Sequence, residues 1–168
     1  MPHVVARDAA CERIDAEVPD GACPMCFVTR ASPPLAEREN AVLVFNAYPL
    51  RWGHLLVVLR DHVVTFDELA PIAHREASSL VHAAARAIER ALRPPRVFVA
   101  CLGAPDEGLK VTSPHLHWHL VPLMHPDERP SEVFTWQHGV LGGTPEEWDD
   151  LRVRLRRELE QISPALGA

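Results

Sequence analysis

The sequence predicts an α+β protein: an antiparallel sheet with helices on one side, one long amphipathic helix packed on it and a second closing the chain. Three observations carry this reading. Apolar, β-branched runs recur at residues 41–45, 54–59 and 96–102, with the length and composition of strands. Between the second and third runs, residues 71–92 repeat apolar side chains at helical spacing and then stop at Pro94-Pro95, which a helix interior does not tolerate. At His115-Leu116-His117-Trp118-His119 histidine alternates with large apolar residues, and a period of two is the side-chain period of a strand.

Bulk properties narrow the function before any motif is considered. At 168 residues the chain is one domain's length, enough to bury about 70% of its unfolded surface. Seventeen basic residues against 23 acidic ones give a formal charge of −6. That balance argues against nucleic acid or an anionic membrane as the main partner, since both reward a basic face. No run approaches the roughly 20 apolar residues of a membrane span, and Met1–Val5 followed by charges is not a signal-peptide core. The expected location is cytoplasmic, where the four cysteines are thiols or metal ligands rather than disulfides.

Taken in order, residues 1–20 fit either a short helix around Arg7–Ala16 or a loose arm, and Pro19-Asp20-Gly21 reads as a turn. Cys23-Pro24-Met25-Cys26 is a Cys-x-x-Cys pair, open to redox use, half of a zinc site or coincidence. The two prolines after it do not suit the βαβ setting of a redox motif, and a histidine-rich chain offers further zinc ligands. Residues 41–45 and 54–59 read as two antiparallel strands joined by a loop with turn chemistry at Pro49 and Gly53. The nearly continuous apolar character of the second implies that both of its faces are covered. Thr65-Phe66-Asp67-Glu68 resembles a capping box and Pro71 a first-turn proline, so the long helix starts between 66 and 71. Residues 96–102 form the third strand, a turn-rich loop follows, and the histidine strand comes next. Thr144-Pro145-Glu146-Glu147 opens a closing helix over about 145–162.

The alternating histidines share one face of their strand, with Leu116, Trp118 and Leu120 on the other. His115 and His119 lie about 13 Å apart along a regular strand, too far for all three to surround one metal ion. Taken alone, the pattern is open between a divided catalytic set, a His-x-His metal pair with a spare, and surface histidines.

The run His115-Leu116-His117-Trp118-His119-Leu120-Val121 resembles the His-φ-His-φ-His-φ-φ signature of the histidine triad (HIT) superfamily of nucleotide hydrolases and transferases at every position. Other segments are similar too: Cys23-x-x-Cys26, Asn46-Ala47-Tyr48-Pro49, Gly53-His54 before a strand, and Leu59-Arg60-Asp61-His62-Val63. The resemblance implies an arm at 1–21, a HIT-like domain at 22–125 and a C-terminal extension at 126–168. It implies a zinc set of Cys23, Cys26, His62 and His115, structural because four protein ligands leave no open position. His117 would then be the nucleophile that attacks an α-phosphate, and His119 a donor to the phosphate or leaving group. Asn46 would touch the ribose, His54 would stand close to the same pocket, and Thr112 and Ser113 would supply hydroxyl donors to phosphate oxygens.

Departures from the family pattern bear on substrate. The loop before the triad carries Asp106, Glu107 and Lys110, Leu123-Met124 replace a frequent arginine segment, and Leu59 replaces a proline. Histidine rather than glutamine at 119 favours hydrolysis over transfer. The implied function is hydrolysis of a nucleoside phosphoramidate or dinucleoside polyphosphate through a covalent nucleotidyl-histidine. Its alternatives are a transferase or phosphorylase of the same fold, a non-catalytic zinc-stabilised nucleotide-binding module, or a catalytic metal on His115 and His117. The resemblance also implies a homodimer, built through the long helix and the third strand. Trp136 fits either a core position or a lid over the pocket.

Overall fold

The computed structural model describes residues 2–103 and 113–163. Five strands form one antiparallel sheet: β2 (Ala36–Glu37), β3 (Ala41–Phe45), β4 (Leu55–Leu59), β5 (Val97–Cys101) and β6 (His117–Pro122), in the order β2-β3-β4-β6-β5. The fold is therefore α+β, as the sequence predicts. The β4–β6 register sets Val58 opposite His117 and Leu56 opposite His119, so the two histidines emerge beside the most buried strand of the sheet. Gly53 turns the chain into β4 with a φ of 94°, and a Cβ there would meet the Leu92 side chain at 2.3 Å. Both facts require glycine.

The first helix, α1 (Arg7–Glu17), realises the helical alternative for the N-terminus. The short α2 (Pro24–Ala31) follows the turn at Gly21. The long α3 (Pro71–Leu92) begins on its first-turn proline and ends at Arg93 in the left-handed region, φ 52°, ahead of Pro94. Glu68 does reach back to the amides of Val64 and Thr65, but this fastens the preceding turn rather than the helix start. Two further helices are α4 (Pro130–Val133) and α5 (Pro145–Ile162). Thr144 accepts from the Glu147 amide and Glu147 accepts from the Thr144 amide at 2.9 Å, completing the expected capping box.

Ala77, Leu80, Ala84, Ala87 and Ile88 of α3 bury against Leu43, Leu55, Val57, Leu59 and Leu120 of the sheet, and the alanines let helix and sheet approach closely. Leu151, Leu155 and Leu159 of α5 belong to the same core. The sequence suggested helices on one side of the sheet. Instead Val42, Val44, Leu56 and Val58 fill the opposite face and pack on Met25 and Val28 of α2. Side chains on both faces of β3 and β4 are apolar, so both faces need cover, and the eight residues of α2 are too few to show a clear period.

The two ends of the chain meet. Strand β1 (His3–Val5) pairs antiparallel with β7 (Val140–Gly142). A satellite core of Leu50, Val121, Leu123 and Val133, joined by Phe134 and Trp136, anchors the segment after β6. Arg51 donates to Glu128 at 2.8 Å, and the other carboxylate oxygen of Glu128 accepts from the amides of Met124 and His125. This latch ties the 46–53 loop to the chain beyond β6. Among the described residues, no helix is long and apolar enough to cross a membrane.

Candidate functional site

Two sites share the histidine strand. The first lies where Cys23, capping α2, and Cys26, in its first turn, meet His62 from the end of β4 and His115 from just before β6. Their four ligand atoms lie within 4.8 Å of one another. A tetrahedral zinc with bonds of about 2.3 Å to sulfur and 2.05 Å to nitrogen would set S···N edges near 3.6 Å. The corresponding separations are 3.6 Å for Cys23–His115, 3.4 Å for Cys26–His115 and 3.4 Å for Cys26–His62. The donor set and its dimensions fit Zn²⁺. His115 is fully buried, and its Nε2–H donates to the Leu59 carbonyl at 2.9 Å, which leaves Nδ1 to face the cysteines.

The two thiols differ. Burial would raise Cys23, but hydrogen bonds from His115, Ser113 and nearby amides outweigh it and bring the thiol down to about 5. Burial and the charge on Cys23 push Cys26 up to about 11. Ser113 contacts the Cys23 sulfur at 3.4 Å and also lines the cavity described below. Thr112 and the charged loop residues lie outside the described residues.

The second site is a line of imidazoles. His115 lies on the α2 side of the sheet, as His117 and His119 do, but its ring turns to the cysteines. The other two meet each other instead, their Nε2 atoms 3.0 Å apart. His119 Nδ1 lies 3.0 Å from His54 Nε2. The ends of this line fix every proton in it. The Leu50 amide points at His54 Nδ1 at 3.2 Å, so that nitrogen accepts. The His115 carbonyl lies 2.7 Å from His117 Nδ1, so that nitrogen donates. One set of neutral tautomers then satisfies all contacts: His54 Nε2–H donates to His119 Nδ1, and His119 Nε2–H donates to His117 Nε2. An added proton would set two donors face to face.

The electrostatics agree. Burial, then the neighbouring His119 and His117, hold His54 well below its ordinary range. Burial and His117 bring His119 down to about 3, and burial lowers His117. At neutral pH all three are uncharged, and Nε2 of His117 keeps a lone pair. Asn46 extends the line by donating to His54 Nδ1 at 3.2 Å while its Oδ1 accepts from the Tyr48 amide at 3.0 Å.

These groups open on a cavity of about 960 Å³ that His54, His117, His119, Asn46 and Ser113 line. Its other walls come from places the sequence did not mark. Ile14, Glu17 and Val18 reach it from α1 and its end, and Phe134 and Trp136 from the segment after α4. Phe134 stands edge-on to His119 with centroids 6.1 Å apart. Trp136 packs on the satellite core and also lines the cavity. Only the aromatic character of 134–136 hinted at this, and α1 gave no signal because its apolar residues do not gather on one face.

Against known proteins, the sequence model of the HIT domain matches residues 32–125, more than half of the chain and all three alternating histidines. The chain belongs to the HIT family. Solved structures agree on the HIT fold. A hypothetical histidine triad nucleotide-binding protein from Sulfolobus tokodaii superposes with a TM-score of 0.64 at 19% identity, over 86% of this chain and 97% of that one. A histidine triad protein from Marinobacter aquaeolei gives 0.60 at 20% identity, over 81% and 94%. A zinc-bound histidine triad family protein from Mycobacterium smegmatis gives 0.58 at 23% identity, over 86% and 97%. No curated protein matches the sequence. The matched HIT region starts after Cys23 and Cys26, so the cysteine half of the cluster and the walls from α1 and residues 134–137 lie beyond it.

Proposed function

We propose that this HIT protein is a nucleotidyl hydrolase that cleaves at an α-phosphate through a covalent intermediate on His117. The observation that carries this reading is the hydrogen-bonded line Leu50–His54–His119–His117–His115, which presents His117 Nε2, neutral and with its lone pair, to a large cavity. Imidazole needs no deprotonation to act as a nucleophile once its pKa lies below ambient pH.

In the first step Nε2 bonds to phosphorus and the bond to the leaving group breaks. His117 keeps its Nδ1 proton against the His115 carbonyl, which stabilises the positive charge the ring acquires. His119 turns its Nε2–H from His117 to the departing atom and donates a hydrogen bond to it, and the leaving group takes up a proton from solvent. His54 holds His119 through Nδ1 in the orientation this requires. In the second step water attacks phosphorus, the P–N bond breaks and the water's proton passes to solvent, so His117 and His119 end as they began. The sum is ester or amidate plus water giving nucleoside monophosphate plus protonated leaving group.

We also propose that zinc on Cys23, Cys26, His62 and His115 is structural. It would pin α2 to the strand ends beside the cavity and, through His115, hold the carbonyl that orients His117. The protein is proposed to act as a homodimer through the free edge of β5, where Val99 is 45% exposed in mid-strand.

The test uses adenylyl and guanylyl substrates labelled at the α-phosphate, each quenched in denaturant with wild type, His117→Ala and His119→Ala. Label on wild type and His119→Ala but absent from His117→Ala is expected. Protein-bound label on His117→Ala equal to wild type refutes the nucleophile. Absence of both label and released nucleotide from all three refutes catalysis.

A further inference from the structure

Glu17 is the last residue of α1 and, among the described residues, the one acidic side chain lining the cavity. Helix formation does not favour it there. A carboxylate at a helix C-terminus meets the negative end of the helix dipole, and the last turn of α1 holds no basic residue. A cavity for a phosphate ester is also a poor place for a second anion unless the ligand turns hydrogen-bond donors toward it.

The carboxylate is nonetheless held in place. Tyr48 Oη donates to Glu17 Oε2 at 3.2 Å. Tyr48 itself is fixed through its amide to Asn46, and Asn46 through its side chain to His54. A continuous series of contacts thus ties Glu17 to the same line of residues that orients His117. Burial and the charge of Glu17 push Tyr48 up to about 12, with partial relief from Arg13, so the phenol remains a donor. Beside them Trp136 lies against Tyr48, ring centroids 6.0 Å apart and planes inclined by 36°, a surface on which a planar ring can rest.

We propose that Glu17 is a specificity-determining residue that reads the base of the bound nucleotide and selects guanine over adenine. This rests on the reading that the cavity holds a nucleotide. Guanine presents two parallel donors, N1–H and the 2-amino group, that match the two oxygens of a carboxylate. Adenine turns the acceptor N1 to the same position, where it repels the carboxylate. A site built to satisfy a donor pair rejects an analogue that lacks it, because the charged acceptor is then left unpaired. α1 lies outside residues 32–125, which the HIT domain model matches.

The test is isothermal titration of the zinc-loaded full-length protein with GMP, IMP and AMP, on wild type and Glu17→Gln. Glu17 is exposed at a helix end, so the variant retains the fold, which a thermal melt verifies. Wild type is expected to bind GMP about 10-fold more tightly than AMP, with IMP, which lacks the 2-amino group, between them. In Glu17→Gln the GMP preference falls to within about twofold, mainly through weaker GMP binding. AMP binding as tight as GMP on wild type, or an undiminished preference in Glu17→Gln, overturns the assignment and leaves the nucleotide reading standing. Failure of all three nucleotides to bind wild type overturns both.

Discussion

Replacing His119 by glutamine should make the protein less sensitive to acid. In the fold His119 is brought down to about 3 by burial and by His117, whereas in the unfolded chain it titrates near 6.5. The folded state therefore binds fewer protons than the unfolded one between these values. The His119 contribution is complete above about pH 6.5 and is lost as pH falls toward 3. Between pH 7.5 and 5.0 the linkage integral for one such histidine is about 2 kcal/mol, since each proton contributes about 1.36 kcal/mol per pH unit and the unfolded histidine is only partly charged near 6.5. Glutamine can still donate to His117 and accept from His54 without titrating, so His119→Gln removes this loss while sparing the local contacts. The assay is urea unfolding of zinc-loaded wild type and variant at both pH values, read as a difference of differences. Acid release of metal from Cys23, Cys26, His62 and His115 is common to both proteins and cancels. Wild type should lose about 2 kcal/mol more than His119→Gln. Equal losses, to within about 0.5 kcal/mol, would show that His119 is not held neutral by the fold, and the tautomer assignment of the imidazole line would fall with it.

Other expectations concern parts of the chain outside that line. Cys26→Ser, or removal of metal by a chelator, should lower the melting temperature by roughly 10 °C, taking about 4 kcal/mol for a tightly bound ion and 2–4 °C per kcal/mol at this size; zinc-free wild type with an unchanged melt would remove the structural role. Leu155→Ala should cost about 2–5 kcal/mol, because Leu155 of α5 is fully buried in the core shared with α3 and the sheet; a cost below about 1 kcal/mol would mean that the closing helix is dispensable to the domain. Val99→Lys on the outer edge of β5 should shift sedimentation from dimer to monomer with little change in melting of the isolated subunit. Unchanged sedimentation would move the interface elsewhere.

What was legible in the sequence follows from how local each signal is. Pro71, Pro94 and the Thr144–Glu147 box act through the backbone of their own turn, so α3 and α5 could be bounded from a few residues each. The β-branched runs marked β3, β4 and β5 because strand preference is carried by the side chains themselves. The donor chemistry of Cys23, Cys26, His62 and His115 is equally intrinsic, although uniting residues as far apart as 23 and 115 rested on the family resemblance. His117 and His119 could be placed on one face because i and i+2 on a strand must share it.

Tertiary structure decided what depends on partners distant in the chain. Whether residues 7–17 formed a helix or an arm was settled by burial of Ala10 and Ile14, since no face of that segment is strongly apolar. The pairing of His3–Val5 with Val140–Gly142 joins strands of three residues, too short to carry a period. Which way the His115 ring turns was decided by the Leu59 carbonyl and the two thiols that meet its nitrogens. The direction of every proton between His54 and His117 was set by the Leu50 amide and the His115 carbonyl. The walls that α1 and residues 134–137 lend the cavity came from packing alone. Residue types, periods and turn chemistry thus determined the elements and the reactive groups, because these act within a few bonds of themselves. Which nitrogen accepts, which face is covered and what closes the cavity required the fold, because each is a competition among groups that only folding brings within reach.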